Sequence, residues 1–152
     1  MPHERALALR DCVARPVLEQ LQADLGQLNG PARRILEALG AGLFSPELRI
    51  SAVVRASKAK GTRSLEDFAA LTAVPPFTYL LEARGEVAQR LLIETELSID
   101  TISGLVGFGS ADVFCRSFRR RFGQSPSSYR AKAREAQARG ARMPDPAWAR
   151  RR

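Results

Sequence analysis

Apolar residues recur at α-helical spacing along almost the whole chain, and no segment shows the alternation typical of a strand. Pro16 suits the first turn of a helix, and Asn29-Gly30 suits its end. The apolar face of this first predicted helix consists of Val17, Leu18, Leu21, Leu25 and Leu28. Pro31 opens a second predicted helix, which ends before Ser45-Pro46 and has on one face Ile35, Leu36, Leu39 and Leu43.

The middle of the chain predicts two short helices followed by a long one. The first contains Ile50, Val53 and Val54, and the second covers about 63–71, with Leu65, Phe68 and Leu71 directed inward. After the interruption at Val74-Pro75-Pro76, a helix over 77–93 would be about 25 Å long. Its apolar positions are Phe77, Leu80, Leu81, Val87, Ala88, Leu91 and Leu92.

Three more helices are predicted in the C-terminal part, which makes the expected fold class all-α. Ser98 is suited to cap a short helix whose inward residues are Ile99, Ile102, Leu105 and Val106. Ser110 is suited to cap the next helix, which carries Phe114, Phe118 and Phe122 on one face and ends before Gly123. Ser125-Pro126 begins a last helix that reaches about residue 138.

The order short helix, turn, short helix occurs twice, at about 48–71 and again at about 97–122. With an offset of 49 residues, Leu48, Ile50 and Val53 correspond to Leu97, Ile99 and Ile102. Two such units joined by a long helix at about 76–93 predict tandem helix-turn-helix subdomains. The alternative is a helical bundle in which the apolar spacing of the two segments coincides by chance.

Charge adds the expectation of a polyanionic partner. The 152 residues contain 24 Lys and Arg against 16 Asp and Glu, a net charge of +8. The positive charge is concentrated in blocks, with +4 in 31–60, +4 in 110–130 and +5 in 131–152. Double-stranded DNA is the partner that fits such blocks within a helical fold. The alternative reading is a solvated surface that only confers solubility.

Composition also argues against several other classes. No run approaches the length of a membrane span, and no apolar segment follows the charged N-terminus, so a cytoplasmic protein without a membrane partner is expected. Cys12 and Cys115 are expected to be free thiols, and with a single histidine, His3, no metal site is expected. The chain shows no catalytic set and no phosphate-binding glycine loop, so neither an enzyme nor a cofactor is predicted.

Within the second unit, the helix after Ser110 is the predicted recognition helix. In a helix-turn-helix, the second helix lies in the major groove. If the three phenylalanines face the core, the open side carries Ala111, Asp112, Cys115, Arg116 and Arg119. Arg116 is predicted to read a base, because arginine pairs bidentately with guanine. Asp112 either accepts from a cytosine amino group or stabilises the helix N-terminus. Phosphate contacts or a solvated face are predicted for Ser110, Ser117, Arg119, Arg120 and Arg121.

The same unit carries a longer pattern. It consists of Ile102-Ser103-Gly104-Leu105-Val106-Gly107-Phe108-Gly109-Ser110, then Phe114, Arg116, Phe118-Arg119-Arg120, Phe122-Gly123-Gln124-Ser125-Pro126 and Tyr129-Arg130. This pattern resembles the signature of the AraC/XylS family of bacterial transcription regulators. The resemblance implies a DNA-binding domain over 31–132, with seven helices and two recognition helices in successive major grooves. Residues 1–30 would then be an N-terminal helical extension, and 133–152 a basic C-terminal tail.

The first unit departs from the family pattern. Glu66 occupies a position that is usually basic in the family, Asp67 follows it, and Ser64 and Ala73 replace an apolar residue and a glycine. Carboxylates are repelled by phosphates. The predicted phosphate contacts of this unit are Lys58, Lys60, Thr62 and Arg63. We therefore expect the first unit to dock on the DNA backbone weakly or not at all.

The predicted function is a sequence-specific regulator of transcription that binds double-stranded DNA mainly through its second unit. RNA polymerase is a further candidate partner, and a monomer or weak dimer is expected. The 30 residues before Pro31 are too few for a ligand-enclosing barrel, so no dedicated effector pocket is expected. The apolar face within 17–28 packs on the domain or pairs with a partner. The alternative function is a protein-interaction module that kept the fold but lost operator reading.

Overall fold

A computed structural model describes residues 3–58 and 61–141 of the chain. These residues form eight α-helices and no strand, as the all-α prediction requires. The helices are α1 (His3–Leu25), α2 (Gly30–Ala41), α3 (Ile50–Ala56), α4 (Arg63–Thr72), α5 (Pro76–Glu94), α6 (Ile99–Leu105), α7 (Ala111–Phe122) and α8 (Pro126–Ala138). None of these helices combines the length and apolar composition that a bilayer crossing requires.

The long helix α5 lies at the centre of the fold. Its buried apolar side chains include Leu80, Val87, Ala88, Leu91 and Leu92, all of them predicted from the spacing. It packs against α2 and α4 on the side of the first unit and against α6 and α8 on the side of the second. From here on, the first unit includes α2, which packs on α3 and α4, with the loop after it, and the second unit includes α8, which packs on α7. Helix α5 therefore connects the two units and also forms the core that they share.

Serine caps fix the beginnings of the helices in the second unit. The side chains of Ser98, Ser110 and Ser125 accept hydrogen bonds from the backbone N–H groups of Thr101, Val113 and Ser128, at 3.1, 3.2 and 3.2 Å. Each cap satisfies one of the backbone donors that a helix N-terminus leaves free. Gly123 ends α7 in the left-handed conformation with φ 75°, as predicted.

The first helix corrects the expectation about Pro16. The prediction that a helix begins there was wrong, because Pro16 lies inside α1. A proline inside a helix removes a backbone donor and costs stability. In α1, apolar packing on both sides of the proline offsets this cost, since Val13, Ala14, Val17 and Leu21 are all buried. The helix packs against α5, α2 and α6, so its apolar face is covered within the chain itself except at Leu18.

Two predicted core residues lie at the surface. Leu18 on α1 is 38 % exposed, and Phe77 at the second position of α5 is 56 % exposed. Apolar spacing identifies the inward face of a helix, but it does not show how far neighbouring elements extend over that face. No neighbour among the described residues covers most of the Phe77 ring.

Ala73, the residue after α4, adopts the left-handed conformation with φ 66°. This conformation costs an L-residue about 1 kcal/mol relative to glycine, so we expect Ala73→Gly to raise the free energy of unfolding by about 0.5–1 kcal/mol. Urea denaturation followed by circular dichroism measures the change. Ala70→Gly is the matched control, because Ala70 is exposed inside α4 and the same substitution should there be destabilising by about 1 kcal/mol. A loss of stability in both variants would contradict the prediction.

Candidate nucleic-acid interface

One face of α7 is anchored in the core by aromatic rings. Phe114 and Phe118 are 1 % and 3 % exposed, and their ring centroids lie 5.7 Å apart. Phe108, from the turn before α7, lies 5.3 Å from Phe114, and Tyr129 of α8 lies 5.4 Å from Phe118. These contacts confirm the prediction for Phe114 and Phe118, whereas Phe122, which was also predicted to face the core, is only partly buried. They also fix the rotation of α7, and hence the side chains on its opposite face.

Tyr129 joins this aromatic cluster to the linker helix. Its hydroxyl accepts a hydrogen bond from Gln89 Nε2 on α5 at 3.1 Å. Burial raises the pKa of the Tyr129 phenol, while the hydrogen bond from Gln89 lowers it. The phenol therefore stays protonated at neutral pH, and Tyr129 contributes to packing and orientation rather than to charge.

The opposite face of α7 is open. Asp112, Arg116, Arg119 and Arg120 are exposed, and Ala111, Cys115 and Ser117 are partly exposed. Ser110 is exposed as well, with its side chain engaged in the cap. Within residues 3–58 and 61–141, no ion pair involves Arg116, Arg119 or Arg120. Their charge is therefore available to an external anion.

Arg121 differs from the other arginines of α7. Its Nη2 lies 2.7 Å from Glu82 Oε1 on α5, and both side chains are largely shielded from solvent. Of the two alternatives predicted for Arg121, a phosphate contact or a solvated face, the solvated face was therefore wrong. Arg121 instead attaches the C-terminal end of α7 to the linker helix.

Val113 is an exposed side chain that the sequence reasoning missed. It lies in the first turn of α7 and is 45 % exposed. Three residues before Arg116, it shares the open face with that arginine. An apolar side chain in this place is suited to contact the methyl group of thymine. The signal was present in the sequence, since Val113 falls outside the spacing of the three phenylalanines.

The first unit presents a mixed surface on α4. Arg63, Glu66, Asp67 and Ala70 are exposed and share one side of the helix by their spacing. The hydroxyl of Thr62 donates a hydrogen bond to Glu66 Oε1 at 3.2 Å. The two carboxylates offset the positive charge of Arg63, so this face has little attraction for phosphates.

Two other predicted residues of the first unit precede α4 in the sequence. Lys58 is exposed, with φ 58°, and Lys60 lies outside the described residues. Ser64 is buried four residues before Phe68, while Leu65 is only partly buried. The small hydroxyl side chain therefore occupies the inward position that an apolar residue was expected to fill.

An acidic cavity of about 170 Å³ lies between α1, the end of α4 and the first half of α5. Its lining includes Asp24, Glu82 and Glu86. Asp24 accepts hydrogen bonds from the Tyr79 hydroxyl at 2.9 Å and from Gln20 at 3.0 Å. A negative lining disfavours phosphates, so the arginine-rich face of α7 remains the candidate interface.

Comparison with known proteins also identifies a helix-turn-helix domain. A family model described as a helix-turn-helix domain matches residues 50–132. The HTH-type transcriptional regulator AlkR of Acinetobacter baylyi is 36 % identical over 63 residues, which are 41 % of this chain and 21 % of AlkR. The HTH-type transcriptional regulator ExsA of Pseudomonas aeruginosa is 37 % identical over 73 residues, which are 48 % of this chain and 26 % of ExsA.

A solved structure extends the similarity to three dimensions. The DNA-binding domain of AdpA, a global transcriptional factor in complex with a target DNA, is 28 % identical, with a TM-score of 0.57. The match covers 70 % of this chain and 95 % of that domain. By contrast, the chain spans only about a fifth to a quarter of the length of the two regulators it matches.

Proposed function

Because the chain belongs to the helix-turn-helix family of AraC type, we propose that it is a sequence-specific, double-stranded-DNA-binding regulator of transcription. The observation that carries this proposal is the two-sided α7. Phe114 and Phe118 fix one face in the core, while Val113 and Arg116 project from the other, and Arg116 has no ion-pair partner among the described residues. A helix held in this way can enter the major groove without rearrangement.

Base reading is assigned to the first half of α7. Arg116 is proposed to donate two hydrogen bonds to a guanine, and Val113 to contact a thymine methyl group. Asp112 either accepts from a cytosine amino group or stabilises the N-terminus of α7. Ala111 and Cys115 are proposed to border the groove, with both side chains partly exposed and Cys115 also packed against the core.

Backbone contacts are assigned to a second set of residues. Arg119 and Arg120 are exposed in the last turn of α7 and are proposed to bind phosphates, with Ser110 and Ser117 as lesser contacts. In the first unit the same role is proposed for Lys58, Lys60, Thr62 and Arg63. Since Glu66 and Asp67 are exposed beside Arg63, this unit is proposed to dock on the backbone weakly or not at all.

An oligomeric state, a protein partner and a cellular location are proposed as well. Except at Leu18, the apolar face of α1 is covered within the chain, which supports a monomer or weak dimer. Sedimentation at micromolar concentration measures this. RNA polymerase is proposed as the protein partner of the DNA-bound form, and the bacterial cytoplasm as the location of the complex.

Selection of binding sites from random DNA tests the proposed function, with Arg116→Ala as the decisive variant. We expect the wild type to select a motif, and Arg116→Ala to lose about 1–3 kcal/mol on that motif and to relax preference at one base pair. Arg120→Ala is the matched control, because loss of a phosphate contact should weaken binding equally on all sequences and reduce the salt slope by about 1.

Two outcomes would contradict the assignment. An equal loss on every sequence for Arg116→Ala would show that Arg116 binds phosphate and not a base. A wild type that selects no motif and shows no dependence on salt would favour the alternative, a protein-interaction module with this fold.

A further inference from the structure

We propose that α1 and a junction formed by Arg10, Phe44, Arg84 and Gly107 hold the two helix-turn-helix units in one fixed mutual orientation. The first unit would then meet the DNA backbone at a set distance from the bases that α7 reads. The DNA part of this inference rests on the proposed function, whereas the fixed orientation is a property of the protein alone.

Arg10 connects α1 to both units at once. Its guanidinium carbon lies 4.7 Å from the centre of the Phe44 ring, in the loop that follows α2 of the first unit. Its Nη1 donates a hydrogen bond to the carbonyl oxygen of Leu105 at 3.4 Å. Leu105 is the last residue of α6, where backbone carbonyls lack partners in the helix and the helix dipole attracts a cation. A single side chain thus contacts the first unit through a ring and the second through a helix end.

Arg84 of the linker helix makes the same kind of connection from the inside. Its Nε donates to the carbonyl of Leu43 at 2.7 Å, and its Nη2 donates to the carbonyl of Ser45 at 2.8 Å. The guanidinium also lies 5.8 Å from the centre of the Phe108 ring in the second unit. Burial lowers the pKa of Arg84 to about 10, so the side chain still carries its charge at neutral pH. The cation is held by backbone carbonyls and a ring, which fixes its direction.

The two units come into direct contact beside these arginines. At Gly107, in the turn between α6 and α7, a Cβ atom would lie 2.9 Å from the backbone carbonyl carbon of Phe44 and 3.0 Å from the Arg84 guanidinium. The loop after α2 is therefore packed on the turn that precedes the recognition helix. A contact this close leaves little freedom for one unit to swing relative to the other.

With the linker helix α5 as their only connection, the two units would be joined at a single place. Helix α1 adds a second connection, since it packs against α2 in the first unit, α5 in the linker and α6 in the second unit. Its residues 3–25 lie outside the segment 50–132 that the family model matches. We therefore assign to α1 a positioning role in DNA recognition, with Arg10 as its main positioning residue.

Distance measurement between spin labels tests the orientation without DNA. In a background with Cys12→Ser and Cys115→Ser, labels are attached through Ala70→Cys on α4 and Asp100→Cys on α6, both exposed positions. We expect one narrow distance distribution for this protein and a clearly broader one after Arg10→Ala. Arg15→Ala, which removes the same charge from an exposed position of α1, should leave the distribution narrow. Phe44→Leu is the second variant, because it removes the ring under Arg10 but keeps an apolar side chain.

Hydroxyl-radical footprinting on the selected DNA site tests the consequence. The wild type and Arg15→Ala should protect the deoxyriboses at the site that α7 reads and, more weakly, a backbone segment at one fixed distance from it, about one helical turn away. Arg10→Ala should keep the protection at the site that α7 reads. The protection of the backbone segment should be lost or spread over several positions.

The outcomes separate this inference from the proposed function. A broad distribution in the unsubstituted protein would overturn the fixed orientation, and a narrow one in both Arg10→Ala and Phe44→Leu would overturn the positioning role of Arg10, even if DNA binding is strong. A narrow distribution that broadens only in those two variants supports it. Absence of any footprint from the wild type would contradict the proposed function and with it the DNA part of the inference, while the distance measurement would still decide the role of α1.

Discussion

Replacing Phe118 with alanine is expected to lower the free energy of unfolding by about 3–5 kcal/mol. The ring is 3 % exposed and lies between three others, with centroids 5.7 Å from Phe114, 4.4 Å from Phe122 and 5.4 Å from Tyr129. Its removal leaves a cavity at the point where α7 and α8 meet, and little can move in to fill it. Urea denaturation followed by circular dichroism measures the loss.

Phe77→Ala is the matched control for this experiment. The same atoms are removed, but Phe77 is 56 % exposed, so the change in stability should stay within about 0.5 kcal/mol. Both phenylalanines belong to the predicted apolar face of their helix, but only Phe118 is buried. Equal losses of free energy of unfolding in the two variants would show that the aromatic cluster does not stabilise the second unit.

The second unit was the part of the fold that the sequence predicted well, because its signals are local. A serine before an apolar run, three phenylalanines four residues apart and a glycine after them define the beginning, the face and the end of α7 within 14 residues. Each signal acts through the backbone of its own helix or through adjacent turns. Distant parts of the chain are not needed to interpret them.

The sequence pattern was wrong, or gave no indication, where distant residues decide the outcome. Pro16 is tolerated inside α1 because packing on other helices offsets the missing hydrogen bond, and this packing cannot be seen in a local pattern. The burial of Arg84 depends on carbonyl groups that lie 41 and 39 positions earlier in the chain. A charged residue within an apolar helix gives no indication of which carbonyls will surround it.

The candidate interface also contains residues that local signals predicted and a residue whose contact depends on a distant part of the chain. Exposure of Asp112, Arg116 and Arg119 followed from the phenylalanine spacing and is observed. The engagement of Arg121 with Glu82 required knowledge of how α7 crosses α5, since the two residues are 39 positions apart. The roles of the exposed residues toward bases and phosphates remain predictions.

The turn before the recognition helix provides the second large effect, because Gly107→Ala is expected to lower the free energy of unfolding by about 2–4 kcal/mol. Gly107 has φ 94°, a conformation that costs an L-residue about 1 kcal/mol, and its new Cβ would lie 2.9 Å from the backbone of Phe44. Backbone cannot rotate away as a flexible side chain can, so overpacking adds about 1–3 kcal/mol. Thermal unfolding followed by calorimetry is the measurement.

Gly104→Ala is the control that isolates this cause. Gly104 lies three residues earlier, inside α6, and no heavy atom lies within 4 Å of the place where its Cβ would be. Alanine favours the helix over glycine, so this variant should gain up to about 1 kcal/mol. A loss at Gly107 clearly larger than the about 1 kcal/mol that its positive φ accounts for would show that the turn is pressed against the loop after α2. A tolerated Gly107→Ala would instead mean that the two units are separated there, and the fixed orientation proposed for them would lose its closest contact.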